Sequence, residues 1–404
     1  MGKNNVLLAR QPIYDTELNI YAYELLFRSD KNESADEVGA DTATSVVLFN
    51  AFSEMGIHNV VGNQRAFINF TRNLLLDPPP FTCDEIVIEV LEDVIPDSEV
   101  INSLKSFKQQ GFTIALDDFE YHESQQPLVE LADIIKIDVM ALNEEQIAKH
   151  VTQLKSSGTT LLAEKVESLE MYNYCKDLGF DYFQGYFLSR PKVMMGRKLP
   201  TNKLVVMRLI TDLQSPEASP QQLHDTISKD PGLSFKLLRM INSAAYRRAN
   251  KIESLLRAIV LLGEKDIRRW ASLLALLQLD DKPDALSELT MIRAKLCELI
   301  GNHIRPQQSD LFFTVGLLSM MEAYFDTPMG ELLKSMALSH EMEQALLQQE
   351  GVLGFVLKTA IAYERGNWGE IDWPGLTQHS LSILDIKRAY IDSLQWYQEQ
   401  AKAI

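Results

Sequence analysis

FTIALDD, residues 112–118, is the stretch that decides the fold: an apolar run of strand length that ends on two adjacent carboxylates, Asp117 and Asp118. Five more runs follow the same rule. AFINF (66–70) carries Asn69, EIVIEV (85–90) Glu89, DIIKID (133–138) Lys136 and Asp138, TTLLAEK (159–165) Glu164, and FDYFQGY (180–186) Gln184. Short apolar runs bounded by helix-like segments read as strands buried on both faces, the mark of a parallel sheet. A polar residue at the carboxyl end of such a strand points into the mouth of a barrel or open α/β sheet, where catalytic groups collect.

Between these runs lie amphipathic segments such as DSEVINSLKSFKQQG (97–111) and EKVESLEMYNYCKDLG (164–179), the second closing on Gly179 as a helix C-cap would. The alternation predicts βα units around a parallel sheet over residues 1–195. Pro191, Gly196 and Pro200 then mark a hinge between Ser189 and Thr201. From Asn202 the period is helical, with Ser219 and Pro220 as an N-cap and N1 pair, so residues 196–404 read as an all-α domain of eight or more helices.

At 404 residues the chain is long enough for two or three domains. Its net charge of −17 argues against a large DNA-binding surface, which draws on dense Lys and Arg. No apolar stretch approaches the ~18 residues of a membrane span, and the N-terminus lacks a secretory h-region, so a cytoplasmic protein is expected. Cys83, Cys175 and Cys297 lack metal-ligand spacing and read as buried free thiols.

Asparagine, carboxylates and a glutamine at adjacent strand ends are oxygen ligands, the preference of Mg²⁺ and Mn²⁺. So many carboxylates suit two ions, which clamp the attacking and leaving oxygens of an in-line phosphoryl displacement. Lys136 would add a fixed positive charge or orient the water. Asp138 is equally open to a substrate contact or to a buried ion pair in the neighbourhood of Lys136. So many buried like charges are costly without cations or protonation, which disfavours a purely structural reading of the whole set.

In order along the chain, RQPIYD (10–15), YELLFR (23–28), INFT (68–71), EVLED (89–93), LDDFE (116–120), IIKID (134–138), AEKVE (163–167) and FQGYFLSRP (183–191) resemble the motifs of the EAL family of cyclic di-GMP phosphodiesterases. The resemblance implies a modified, shortened TIM-type barrel that cleaves the cyclic dinucleotide to linear pGpG with one or two Mg²⁺ or Mn²⁺ ions. It also implies Glu24, Asn69, Glu89, Asp117, Asp118 and Glu164 as metal ligands, Lys136, Gln184 and Glu164 as catalytic groups, Gln11, Arg28 and Asp138 as substrate contacts, and Glu92 as a loop brace. Glu120, Tyr121 and His122 replace the family's Gly-Thr-Gly turn, a change that bears on catalytic geometry and on the homodimer contacts of that region.

SKDPGLSFKLLRMINSAAY (228–246) and IESLLRAIVLLG (252–263) are similar to the HDOD domain, a helical relative of HD phosphohydrolases without their metal ligands. Asn242 and Ser243 read as a capping or inter-helix pair. His224-Asp225 is a solvated helix face, and LLSMMEAY (317–324) is core packing. Together the halves resemble YuxH-like EAL–HDOD signalling proteins. Two functions follow: hydrolysis of cyclic di-GMP, with the helical domain meeting a signalling partner, or a catalytically inactive barrel that senses the dinucleotide or docks a protein.

Overall fold

The computed structural model describes residues 6–29, 57–78, 82–118, 125–155, 158–189, 201–215, 219–241, 254–277, 279, 282–334, 336 and 338–401. By its contacts the chain separates into two compact units, residues 1–188 with 364–366, and residues 189–363 with 367–404.

The first unit is a closed barrel of eight strands in sequential order: β1 (Val6–Tyr14), β2 (Ile20–Ser29), β3 (Arg65–Phe70), β4 (Ile86–Val90), β5 (Thr113–Leu116), β6 (Ile134–Asp138), β7 (Thr160–Glu164) and β8 (Tyr182–Gln184). Every neighbouring pair from β2 to β8 is parallel, but β1 runs antiparallel to both β2 and β8. This is where the fold departs from a purely parallel barrel. The β1–β2 pair is long, from Val6 opposite Ser29 to Tyr14 opposite Ile20, and Asp15 caps its turn by accepting from the backbone N–H groups of Glu17 and Asn19.

Side chains alternate along a strand, so residues two apart share a face. Ile13, Ala22, Phe67, Val87, Ala115, Ile134 and Leu162 pack together as one buried apolar layer, with Tyr21 and Tyr182 against it. Two residues onward on β2 to β7 stand Glu24, Asn69, Glu89, Asp117, Lys136 and Glu164. Gln184 follows Tyr182 by the same step, and on antiparallel β1 the partner of Ile13 is Gln11, two residues back. One apolar layer therefore floors the barrel, and the polar residues form the layer above it.

The outer helices follow the predicted signals. Ser98–Gln109 starts at Asp97, whose carboxylate accepts from the N–H groups of Glu99 and Val100, and it buries Val100, Leu104 and Phe107 against the sheet at spacings of four and three. Each such fully buried side chain contributes about 2 kcal/mol. Leu169–Leu178 begins at Ser168 and ends at Gly179, with φ +97° in the left-handed region. The β6–β7 connection carries a 12-residue helix, Glu144–Lys155, whereas among the described residues β5 and β6 are joined by the single turn Gln126–Val129. At Gly185, φ is +147° and a Cβ would overlap the backbone of Val166, whose N–H donates to the Gln184 carbonyl at 2.9 Å. Glycine is what allows the segment after β7 to close on β8.

The second unit is helical. Thirteen α-helices lie among its described residues, from Thr201–Gln214 to Ile383–Ala401. Ser219 and Gln222 form a reciprocal capping box at the start of Pro220–Ser228. The stretch 309–325 forms two helices, Ser309–Leu318 and Met321–Phe325, because Ser319 turns its hydroxyl back to the Gly316 carbonyl and ends the first. Trp396 stacks on Trp270, centroids 5.5 Å apart, and meets the edge of Phe313, tying three helices together. Met320 and Met321 are buried, as core packing requires. Asn242, Ser243 and most of the 189–201 hinge lie outside the described residues. Among those described, no helix is long and apolar enough to cross a membrane. The cysteines are free; Cys175 and Cys297 are buried, but Cys83 is only half-buried.

Candidate active site

At the centre of the upper layer is Lys136, fully buried on β6. Its ammonium meets Glu164 at 2.7 Å, Asp117 at 2.8 Å, Glu24 at 3.3 Å and Glu89 in close contact. Each of these carboxylates comes from a different strand or from the residue just after it, so closing the barrel is what assembles them. The register places Asn69 beside Glu89, and Asp138 beside Glu164.

The electrostatics are unbalanced. Burial, then the charge of Glu24, pushes the Glu89 carboxyl well above the usual carboxylate range, although Lys136 pulls it down. Burial likewise pushes Glu164 up to about 8. Burial alone would lower Lys136, but the surrounding carboxylates outweigh it and hold the ammonium well above the usual lysine range. Asp117 is lowered: burial opposes the shift, and the Lys136 charge prevails. One ammonium with three N–H donors cannot satisfy four carboxylates.

Five oxygens of this layer are buried without a hydrogen-bond partner: Asn69 Oδ1, Glu89 Oε2, Asp118 Oδ1, Glu164 Oε2 and Gln184 Oε1. Unpaired buried acceptors are costly, and a cluster of them without donors indicates a missing cation or ordered water. Two groups of three carboxylates have ligand atoms within 4.8 Å of one another, Glu24 with Glu89 and Glu164, and Asp117 with Asp118 and Glu164. An all-oxygen donor set of this charge fits hard divalent cations. Glu164 belongs to both groups.

Gln184 donates from Nε2 to Glu24 Oε2 at 2.7 Å and to Gln11 Oε1 at 2.8 Å, which leaves its own carbonyl oxygen free above the floor. Gln11 is therefore in mid-strand, directly opposite Glu24, and also donates to the Tyr186 hydroxyl at 2.5 Å. Glu92 is exposed in the turn after β4, beside a small recess shared with Asp117, Asp118 and Gln125. The loop it was expected to brace, with Glu120, Tyr121 and His122, lies outside the described residues, as does the side chain of Arg28 on β2.

Asp138 adopts the ion-pair alternative, but with a partner the sequence reading did not single out. Its Oδ2 meets Lys165 Nζ at 2.5 Å, and its Oδ1 accepts from the N–H groups of Met140 and Ala141. Lys165 follows Glu164 and also reaches Asp118 at 3.4 Å. A positive φ of 56° turns it toward them. In the helical unit, His224 and Asp225 pair with each other on the outer side of the helix Pro220–Ser228, which buries Leu223 and Ile227. Both clusters of potential metal ligands found among the described residues are in the barrel.

The sequence matches the EAL domain over residues 56–191 and the HDOD domain over residues 199–351. CdgJ of Vibrio cholerae serotype O1, named a cyclic di-GMP phosphodiesterase, is 30% identical over 403 residues, covering 97% of this chain and 92% of CdgJ. This chain belongs to the EAL–HDOD family. Another member, the uncharacterized protein YuxH of Bacillus subtilis, is 30% identical over 402 residues, 97% of this chain and 98% of its own. Among solved structures, BlrP1 of Klebsiella pneumoniae, in a complex with manganese and cyclic di-GMP, is similar to 46% of this EAL–HDOD chain and 56% of its own, at 24% identity and a TM-score of 0.38.

Proposed function

We propose that this EAL–HDOD protein hydrolyses cyclic di-GMP to linear pGpG, using Mg²⁺ or Mn²⁺ held by Glu24, Asn69, Glu89, Asp117, Asp118 and Glu164. The observation that carries this reading is the set of unpartnered oxygens lining two carboxylate triads with a common member. The name of CdgJ, a relative along nearly the whole chain, supports the choice of substrate. When bound, such cations activate a water and neutralise phosphate charge.

The chain's own residues do the rest. Lys136 holds Glu24, Glu89, Asp117 and Glu164 convergent and gives the site a fixed positive charge. Gln184 has both its donor contacts committed, so its carbonyl oxygen is the group that accepts from the attacking water and aims it in line with the scissile P–O bond. Glu164 ties the two triads to one position. Gln11 and Arg28 contact the dinucleotide, Asp138 anchors Lys165 at the rim, and Glu92 braces the loop after β5.

In this reading residues 1–195 form the catalytic barrel of a cytoplasmic protein, and residues 196–404 form the domain that meets a signalling partner. A homodimer through the loop after β5 is the family's expectation.

The test is chromatography of products from purified full-length protein, stripped of metal and supplied with Mn²⁺ or Mg²⁺. The expected product is pGpG, and Glu24→Ala abolishes its release. Absence of turnover with either ion, together with micromolar cyclic di-GMP binding by calorimetry, would replace the enzyme with a sensor.

A further inference from the structure

Lys136 and Lys165 divide the site between them. Lys136 is interior, and its four partners include every member of the first triad. Lys165 is half-exposed at the rim and is bonded to Asp118, the one carboxylate of the second triad that Lys136 does not reach among the contacts seen. Two features show that Lys165 is held in place. Its anchor, Asp138, is itself fixed by two backbone N–H groups. Both Lys165 and Asp118 adopt positive φ, +56° and +38°, a region that non-glycine residues enter only when the surroundings impose it. The loops after β5 and β7 are thus turned so that an ammonium rests on Asp118 Oδ2 while Asp118 Oδ1 stays buried and unpartnered.

We propose that Lys165 is a built-in counter-cation of the second triad, so that the two metal positions load unequally: an ion at Glu24, Glu89 and Glu164 binds tightly, and one at Asp117, Asp118 and Glu164 binds only as Lys165 releases Asp118. This rests on the metal-site reading above. The charge count agrees with it. With every carboxyl ionised, as ligation of a cation requires, Glu24, Glu89, Asp117, Asp118, Asp138 and Glu164 against Lys136 and Lys165 leave an excess of four negative charges, which two divalent ions balance with Lys165 still on Asp138. Lys165 therefore moves a short way, off Asp118 and not out of the site. Its half-exposed position makes that movement feasible, whereas buried Lys136 has no such freedom.

The test is Mn²⁺ titration of the metal-stripped full chain, read by calorimetry and by the paramagnetic resonance of bound Mn²⁺. The wild type shows one tight and one weaker ion. Lys165→Asn removes the charge with a residue that tolerates the same backbone, and it strengthens the second ion by about threefold to fivefold, the scale of one screened ionic contact. Lys165→Gly, which accepts this φ without strain, gives the same result by an independent route. Lys165→Arg keeps the second ion weak. Melting curves in EDTA establish that each variant is folded. Equal second-ion affinity in the wild type, Lys165→Asn and Lys165→Gly overturns the role of Lys165 while leaving the metal site standing; no Mn²⁺ binding by any of them overturns both.

Discussion

Two knots of charge among the described residues, one buried in the barrel and one half-buried in the helical unit, are built in opposite ways. In the helical unit Asp326 sits between two lysines: Oδ1 accepts from Lys282 at 2.8 Å, and Oδ2 from Lys203 at 2.8 Å and Lys282 at 2.9 Å. Both oxygens are occupied, and despite burial the lysines hold the carboxyl below its ordinary range. In the barrel, one lysine serves four carboxylates, two of which are pushed up, and five oxygens have no partner. The first knot is complete and acts as a staple between its chain segments. The second is complete only with something added. What separates a binding site from a structural ion pair here is the number of acceptors left unanswered, not the amount of charge.

The largest break in this comparison comes from Lys136→Met. Removing this buried counter-charge destabilises the metal-free protein by about 3–5 kcal/mol in urea denaturation, the range for an uncompensated buried ion. Mn²⁺ restores part of that loss. A variant as stable as the wild type in EDTA would show that the carboxylates are already neutralised by protons. Next in size is the cation itself: at about a hundredfold excess over its Kd, Mn²⁺ stabilises the wild type by about 2.7 kcal/mol, and the shift disappears in Glu89→Gln. Asp326→Asn is smaller, about 1–2 kcal/mol because the group is only half-buried, and Mn²⁺ leaves that loss unchanged. A metal-dependent effect at Asp326 would erase the distinction drawn here.

The pH dependence of stability opposes the two knots most directly. The folded-state Glu164 carboxyl is raised from 4.5 to about 8, so the folded protein binds the extra proton between those values. Its contribution to stability therefore declines as pH rises through that window. Asp326 is lowered from 3.8, so its contribution is present above that value and is lost as pH falls through its folded-state pKa. Denaturation curves across pH in EDTA should show the decline with rising pH shrink in Glu164→Gln, Glu89 keeping its own share, and the acid decline shrink in Asp326→Asn. Identical pH profiles for the wild type and both variants would refute the assignment.

How much of this was legible in the sequence depended on whether the signal was local. Asn69, Glu89, Asp117, Lys136, Glu164 and Gln184 stand at or near the carboxyl ends of short apolar runs, a position the chain exposes without any long-range information. The reversed direction of β1 was not legible. RQPIYD mixes charge, amide and proline, and whether a strand runs parallel or antiparallel to its neighbour is a long-range matter. Lys165 was missed for a related reason. As one more lysine after a glutamate it carries no sign of its role, which arises only when the loops after β5 and β7 come together with positive φ. The fate of Asp138 depended on that same meeting. In the helical half the caps were local and were read correctly at Ser219, whereas the break at Ser319 hinges on one hydroxyl turning back on its own helix.

The apolar floor of Ile13, Ala22, Phe67, Val87, Ala115, Ile134 and Leu162 has a kinetic consequence. It fills the barrel beneath Lys136 with buried side chains, so among the described residues the polar layer is closed off from below. On the proposed reaction, product and substrate compete for this one polar layer, so inhibition of turnover by the linear product is expected to be competitive.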